Sequence, residues 1–319
     1  MEIIRVREKI FQTFSKPSVA LGNFDGVHLG HQEILRRTVE TAHGKGREAV
    51  VYTFDPHPRL VLNQAPEIPQ ITTSEEKAAI LQSLGIDVLV LAEFTKEFAR
   101  QSPESFVENT LVEELAIKNL FVGENYRFGS GRSGTPLQLK RMGQEMGFSV
   151  HIVPSVKVQG EVVSSTLIRK LLLAGKIVEA NEMLGRPFSI QGNVIHGHSR
   201  GKGLGYPTAN IKPDRKLRPP DGVYAVFCKF QGQIYPSVMN IGRNPTFHDR
   251  KTSFEAHLLD FSEELYGSTI KLFFIQRLRA ERTFASVDEL KLQIARDVEK
   301  ARNILTEYSE NSNPGDLMI

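Results

Sequence analysis

The residues of the first half of the chain that are best suited to chemistry are two histidines at a glycine-rich turn. His28 and His31 stand three positions apart in "LGNFDGVHLGH", although the 319 residues include only nine histidines. Three interpretations are open: a metal site, incidental surface or helix-capping histidines, and a site that handles phosphate. A metal site needs further ligands, and neither a nearby cysteine nor an HExxH pattern is present.

The elements around this stretch favour the phosphate interpretation. "SVALGNF" is typical of a buried strand and "HQEILRRTVETAH" of an amphipathic helix. The turn from the first parallel strand into its helix is the commonest place for a phosphate in an open α/β sheet. Gly22 and Gly26 allow the backbone to approach a ligand closely, and a helix beginning near Gly30 directs unpaired N–H groups at it. His28 and His31 then lie beside the anion.

The absence of a P-loop motif limits the ways in which this chain could bind ATP. The sequence contains no GxxxxGKS or GxxxxGKT, so the P-loop route to ATP is closed. A histidine pair at a helix start suits nucleotidyl transfer, in which an ionised phosphate attacks the α-phosphorus of a nucleoside triphosphate and pyrophosphate leaves. This reaction needs no general base. The site has to position the reactants and stabilise charge on the α-phosphoryl oxygens, which His28 and His31 are able to do.

Two segments resemble a known family. "GNFDGVHLGH" resembles the HxGH signature of the nucleotidyltransferase superfamily, in the version found in bacterial bifunctional riboflavin kinase/FMN adenylyltransferases, and "VVSSTLIRKLL" resembles the SSTxIR segment of that family. By residue type alone, the second segment is an ordinary Ser/Thr helix cap. The resemblance implies that ATP adenylylates FMN, with His28 and His31 catalytic. It also implies nucleotide and phosphate contacts from Gly22, Phe24, Asp25, Gly26, His28, His31, Ser164, Ser165, Thr166 and Arg169.

A third segment resembles the family less closely. "VGENYRFGSGRSG" is similar to the family loop GxDFxFG, with Asn125 where Asp is common and Tyr126 where Phe is common. The resemblance implies that Asn125 and Arg127 contact FMN or adenine. A purely structural role for this loop is the alternative.

The second half of the chain carries its own glycine-rich stretch, "HGHSRGKGLGYPTAN". A dinucleotide-binding fingerprint must follow a parallel strand and open a helix, whereas this stretch continues into Pro207 and a β-rich region. Its backbone N–H groups suit ATP phosphates instead, and the Thr208 hydroxyl and Asn210 amide oxygen are the type of ligand that Mg²⁺ prefers. For a PTAN alone, an ordinary turn would be the better interpretation. The predicted ATP-binding residues are Gly201, Gly203, Gly205, Pro207, Thr208 and Asn210.

Several segments together resemble the riboflavin kinase domain. They are "GRPFSIQGNVIHGHSRGKGLGYPTAN", "GVYAV", "NIGRNPTF" and "SFEAHLLDF", in the family order and spacing. The resemblance implies phosphorylation of riboflavin by MgATP, with the catalytic base at Glu255. An alcohol is a poor nucleophile at neutral pH, so a carboxylate within reach of the riboflavin 5′-hydroxyl has a clear role. Without the resemblance, Glu255 is an ordinary residue on the solvated face of a strand.

The elements that position these residues form two domains. Residues 1–184 alternate strands and helices, which predicts a Rossmann-like, doubly wound α/β domain. A helix is expected after Thr72 and Glu75, which have capping-box spacing, and another after Ser102 and Pro103. Residues 185–308 are β-rich with short turns, which predicts a small antiparallel barrel followed by one long helix. Residues 309–319 are polar and are expected to form a disordered tail.

Composition limits the remaining functions. The 40 Lys and Arg against 37 Asp and Glu give a net charge of +3, which argues against nucleic-acid binding. A single cysteine, no signal peptide and no run of about 20 apolar residues predict a cytoplasmic protein without a membrane span. We expect riboflavin, FMN and ATP as ligands, Mg²⁺ with the ATP, and no obligate protein partner. The alternatives are a monofunctional nucleotidyltransferase with an inert second domain and a non-catalytic flavin-binding protein.

Overall fold

A computed structural model describes residues 1–7, 14–62, 69–196, 205–214, 217–243 and 252–311. The chain divides into two compact units, residues 1–165 and residues 166–319. The predicted domain boundary at residue 184 stays a prediction. Among the described residues, no helix is long and apolar enough to cross a membrane.

The first unit contains a parallel sheet of six strands in the order β1-β4-β3-β2-β5-β6. The central strands are almost wholly apolar and buried, which is typical of a parallel sheet covered on both faces. The strand bounds are β1 Glu2–Val6, β2 Ser18–Leu21, β3 Ala49–Phe54, β4 Val88–Ala92, β5 Asn119–Gly123 and β6 Ser149–Val153. A two-stranded hairpin follows, β7 Lys157–Val158 with β8 Glu161–Val162.

Helices connect these strands. They are α1 Leu29–His43, α2 Pro58–Val61, α3 Ser74–Ser83, α4 Pro103–Ser105, a π-helix at Phe106–Glu114, and α5 Pro136–Met146. Short 3₁₀ turns lie at Phe98–Arg100 and Ser130–Arg132, and α6 Ser165–Leu173 begins at the last residue of this unit.

The predicted parallel α/β sheet is confirmed, with differences in detail. Strand β1, which pairs with β4, was not predicted from the sequence. The capping box was placed one residue too early: Thr73 and Glu76 form it, not Thr72 and Glu75. The reason is tertiary, because the Thr72 hydroxyl accepts a hydrogen bond from the Gly26 N–H. Ser102 does cap α4, as predicted.

The second unit contains the predicted barrel. Six antiparallel strands close in the order β10-β13-β12-β11-β14-β9. Strand β10 was not predicted, because it is short and begins within the polar PTAN stretch, at Ala209. The strands are β9 Phe188–Ile195, β10 Ala209–Pro213, β11 Gly222–Phe230, β12 Gln233–Arg243, β13 Thr252–Leu258 and β14 Thr269–Ala280.

Two helices accompany the barrel, α7 Ile177–Leu184 and α8 Val287–Asn311. The predicted long terminal helix is α8, whose Ala301 and Leu305 pack against apolar residues of the strands. Asp297 of α8, almost fully buried, forms an ion pair with Arg279 at 2.8 Å. Because α8 continues to Asn311, residues 309–311 are helical rather than part of a disordered tail. The rest of that predicted tail lies outside the described residues.

Candidate active sites

The turn after β2 has an unusual backbone. Phe24, Gly26 and Val27 all have positive φ angles, of 48°, 83° and 38°. A Cβ atom at Gly26 would lie 3.1 Å from the Ile71 side chain, so both the backbone angle and the available space favour glycine. The turn thereby folds back tightly between the end of β2 and the start of α1.

Three hydrogen bonds lock this turn to the segment that precedes α3. The Asp25 carboxylate accepts the N–H groups of Ile71 at 2.9 Å and of Thr72 at 3.3 Å. The Gly26 N–H donates to the Thr72 hydroxyl at 3.1 Å. Asp25 was predicted to contact phosphate. That contact stays a prediction; the Asp25 carboxylate accepts these two backbone N–H groups, and 3% of the residue is exposed.

The two histidines form a stacked pair at the start of α1. His28 is the N-cap residue, and its Nδ1 accepts a hydrogen bond from the His31 N–H at 3.3 Å. The ring centroids are 3.6 Å apart with an interplanar angle of 16°, and the Phe24 ring meets His31 edge-on at 5.2 Å. Because Nδ1 acts as an acceptor, a neutral His28 carries its proton on Nε2, where it is a donor.

The helix-capping interpretation therefore describes Nδ1 of His28, and the other ring nitrogen, Nε2, carries the proton of the neutral ring. The metal interpretation gains no support from the described residues, which contain no group of three or more His, Cys, Asp or Glu side chains placed to hold an ion.

The segment "VVSSTLIRKLL" begins beside the same turn. Ser165, the first residue of α6, donates its hydroxyl to the Asp25 carbonyl at 2.9 Å. Close packing continues at Gly30, where a Cβ atom would lie 3.3 Å from the His28 ring and 3.9 Å from the Val163 carbonyl oxygen. The two motifs, 140 residues apart in the chain, thus meet through Ser165. Thr166 and Arg169 follow on α6, Thr166 exposed and Arg169 half-buried.

The loop after β5 holds Asn125 and Arg127 on the surface. The Asn125 amide donates to the Ser155 hydroxyl at 3.5 Å, and the Arg127 guanidinium donates to the neighbouring Tyr126 carbonyl at 2.8 Å. The Tyr126 ring stacks on Phe128 at 6.0 Å. Burial raises the pKa of the Tyr126 hydroxyl, so this ring stays neutral. The predicted ligand contacts of Asn125 and Arg127 stay predictions.

The sequence analysis missed an aromatic cluster at the carboxyl edge of the sheet. Phe54 ends β3, and its ring meets Phe94 at 5.2 Å and Phe98 at 5.3 Å, both edge-on. All three rings are half-buried. The available signal was that Phe54 ends β3 and that Phe94 and Phe98 follow β4, because ligands in such sheets lie beyond the carboxyl ends of the strands.

In the barrel, the register brings the predicted kinase residues together. Glu255 on β13 is paired with Asn210 on β10 and with Asn240 on β12. Directly paired residues of antiparallel strands have side chains on the same face of the sheet. Asn210, Glu255 and Asn240 therefore form one polar row across three strands. Sequence reasoning did not identify Asn240, because only the register places it beside Glu255.

The glycine-rich stretch leads into this row. Gly205 has a φ of 87°, and the Pro207 carbonyl accepts a hydrogen bond from His257 Nδ1 at 2.8 Å. Thr208 precedes β10 directly, so its hydroxyl and the Asn210 amide lie two residues apart at the end of the row. Hydroxyl, amide and carboxylate oxygens are ligands that Mg²⁺ prefers, together with the oxygens of bound phosphates. Gly201 and Gly203 lie outside the described residues.

A parallel α/β unit with a phosphate-type turn, followed by a closed barrel with a Thr-Asn-Glu set, defines a two-domain nucleotide-dependent transferase. Two family models match the chain: FAD synthetase over residues 11–167 and riboflavin kinase over residues 184–305. The chain belongs to the family of bifunctional riboflavin kinase/FMN adenylyltransferases.

Individual relatives agree over nearly their full length. The protein of that name from Buchnera aphidicola is 38% identical, with 94% of this chain and 97% of the relative covered. The one from Haemophilus influenzae is 36% identical, with 95% and 98% covered. A solved structure from Streptococcus pneumoniae, described as a macrolide-efflux protein, has a TM-score of 0.85 at 34% identity, with 94% of this chain and 99% of that chain covered.

Proposed function

We propose that this enzyme phosphorylates riboflavin to FMN with MgATP and then transfers AMP from a second ATP to FMN, which gives FAD and pyrophosphate. The observation that carries the proposal is the family membership, shown over almost the whole chain by relatives with both activities in their names. The α/β unit carries out adenylyl transfer and the barrel carries out phosphorylation.

In adenylyl transfer, an ionised phosphate oxygen of FMN attacks the α-phosphorus of ATP, and the bond between the α-phosphorus and the bridging oxygen breaks. The His28 Nε2–H, His31 and the N–H groups at the start of α1 stabilise the charge on the α-phosphoryl oxygens. Ser164, Ser165, Thr166 and Arg169 hold the phosphates that leave as pyrophosphate. Asn125 and Arg127 contact FMN or adenine.

In the kinase reaction, Glu255 accepts the proton of the riboflavin 5′-hydroxyl, whose oxygen attacks the γ-phosphorus of ATP while ADP leaves. The glycine-rich loop surrounds the phosphates with its backbone N–H groups. Thr208 and Asn210 would hold Mg²⁺, which, when bound, neutralises charge on the β- and γ-phosphoryl oxygens. For the α/β unit, we propose that Mg²⁺ arrives with the nucleotide.

We place this enzyme in the cytoplasm, where its substrates are small molecules, with no obligate protein partner and no nucleic acid. A low net charge of +3 and a single, buried cysteine are consistent with this proposal.

One experiment separates the proposal from its rivals. The protein is incubated with riboflavin and MgATP, and the flavins are then separated by chromatography. We expect both FMN and FAD. Unchanged riboflavin would indicate a binding protein, and FAD formed only when FMN is supplied would indicate a monofunctional nucleotidyltransferase with an inert barrel.

A further inference from the structure

We propose that Lys77 of α3 is a further phosphate-binding residue of the adenylyl-transfer site. The inference rests on the proposed function of the α/β unit, because it assumes that a phosphate approaches the turn after β2. It adds a residue from a helix that none of the sequence motifs includes.

The position of Lys77 follows from the way α3 is attached to the turn. The Lys77 ammonium donates a hydrogen bond to the Asn23 carbonyl at 3.0 Å, across 54 residues of sequence. Asn23 stands between β2 and the histidine pair. The bonds from Asp25 and Gly26 to the segment before α3 fix the helix start at the same place. The ammonium is therefore held at the carboxyl end of β2, where the proposed substrates bind.

The hydrogen bonding of Lys77 leaves capacity for a ligand. An ammonium has three N–H donors, and among the described residues only the bond to Asn23 is formed. The described part of the chain also shows no direct ion pair between Lys77 and a carboxylate. Two N–H donors of the positively charged Lys77 ammonium thus lie beside the turn. The residue is half-buried, and a charge-assisted hydrogen bond to a ligand is strong in such a position.

The charges around Lys77 explain why a cation is needed there. Asp25 and Asp55 are close enough to raise the pKa of the ammonium, in opposition to the larger effect of burial, which lowers it. Asp55 follows β3, where it also accepts a hydrogen bond from the Ser74 hydroxyl at 3.4 Å. Asp25 is buried in the turn, and half-buried Asp55 lies 3.7 Å from the exposed Arg5 guanidinium; both carboxylates would repel a polyanion. The Lys77 ammonium near them offsets that repulsion and attracts phosphate oxygens.

Both substrates supply the same chemistry, a phosphate oxygen: FMN as a phosphate monoester and ATP as a triphosphate. The two sources differ in steady-state kinetics. If Lys77 contacts FMN, removal of its charge raises the KM for FMN. If Lys77 contacts ATP, removal of its charge raises the KM for ATP, or it lowers kcat because the leaving pyrophosphate is less stabilised.

The test compares three variants of the full chain with supplied FMN and MgATP. Lys77→Met removes the charge, and Lys77→Arg keeps it. Lys118→Met is the matched control, because the Lys118 ammonium also donates to a backbone carbonyl, that of Gly147 at 2.9 Å, but stands before β5 at the opposite edge of the sheet. We expect Lys77→Met to lower kcat/KM for FAD formation roughly tenfold to a hundredfold. Lys77→Arg should retain most of the activity, and Lys118→Met all of it.

Riboflavin phosphorylation in the same preparations and the thermal midpoint serve as internal readouts. A loss of FAD formation in Lys77→Met, with kinase activity at the wild-type rate and an unchanged midpoint, supports ligand binding by Lys77. Normal FAD formation by Lys77→Met would overturn the proposal, and so would equal losses in Lys77→Met and Lys77→Arg. A loss of FAD formation in Lys77→Met that only parallels a lowered midpoint would overturn the proposal, because it would show that Lys77 holds the turn and nothing more. If the wild-type protein forms no FAD from FMN, the proposed function fails instead.

Discussion

At the turn after β2, the His28 imidazole caps α1, and in the proposed function it also binds the substrate. The Nδ1 atom of His28 caps α1 by accepting the His31 N–H, and this bond leaves the ring proton on Nε2. The stacked His31 ring restricts the rotation of His28, because the two centroids are only 3.6 Å apart. Packing and capping thus orient a donor before any substrate binds, which is the preorganisation that stabilises transition-state charge.

At Glu255, the kinase proposal gives a direct prediction. Glu255→Gln keeps the size of the side chain and removes the basic carboxylate, so FMN formation should fall by roughly two to four orders of magnitude. Supplied FMN should still be adenylylated at the wild-type rate. Product analysis by chromatography measures both reactions, with Glu264→Gln, an exposed carboxylate elsewhere in the barrel unit, as the control. A Glu255→Gln variant that phosphorylates riboflavin normally would remove Glu255 from the role of base.

Individual residues also show what sequence reasoning can and cannot supply. His28, His31 and Ser165 stand in motifs, and the structure does bring Ser165 to the turn of the histidines. Lys77 belongs to no motif, and Asn240 stands first in "NIGRNPTF" without an assigned role. Their positions depend on a hydrogen bond across 54 residues and on the pairing of two strands, which only the folded chain determines.

Among the elements, α1 is stabilised by a charge cluster next to the histidines. The Arg36 and Arg37 guanidiniums donate to Glu33 at 2.6 to 2.9 Å and lower the pKa of its carboxyl from 4.5 to about 2. Folding therefore favours the ionised carboxylate. Its contribution to stability is complete above pH 4.5 and is lost as the pH falls toward 2.

We predict that Glu33→Gln lowers the thermal midpoint by about 1–3 °C at pH 7, because exposed ion pairs contribute little individually. The difference from the wild type should narrow as the pH falls below about 4.5. Thermal unfolding followed by circular dichroism between pH 7 and pH 3.5 measures it. A difference that stays constant over this range would contradict the assignment of the effect to Glu33 ionisation.

Local patterns predicted most elements but not those that tertiary contacts decide. Long apolar strands and capped helices have clear periodicity, and the strand in "SVALGNF", the alternation of strands and helices in residues 1–184 and the long terminal helix were predicted. Thr72 and Thr73 have equal capping-box spacing to a glutamate, and the hydrogen bond from Gly26 decides between them. Strand β1 interrupts its apolar residues with charges, so its pairing with β4 rather than its sequence makes it a strand.

For the whole molecule, the second unit includes α7, whose Asn181 forms two hydrogen bonds with the barrel. Its amide donates to the Phe274 carbonyl at 2.8 Å, and its side-chain oxygen accepts the Phe188 N–H at 2.8 Å. Ile177, Ala180 and Met183 of α7 are also buried. The barrel is therefore completed by residues that precede the predicted boundary at residue 184.

We predict that a fragment starting at Leu184 folds and forms FMN, because it contains all the proposed kinase residues. A fragment starting at Thr166 should do the same with a thermal midpoint several degrees higher, since it keeps α7 and the bonds of Asn181. Thermal unfolding and riboflavin phosphorylation of the two purified fragments test this. Loss of kinase activity in both soluble, folded fragments would show that residues before Thr166 contribute to the site.

The central claim is that two separate sites act in sequence, with the histidine pair serving adenylyl transfer alone. The most direct test is product analysis of the full chain carrying His28→Ala and His31→Ala together, incubated with riboflavin and MgATP. We predict that FAD formation falls by at least about a hundredfold while riboflavin phosphorylation is unchanged, so that FMN accumulates. FAD formation at the wild-type rate, or the loss of both reactions in a variant that is still folded, would contradict it.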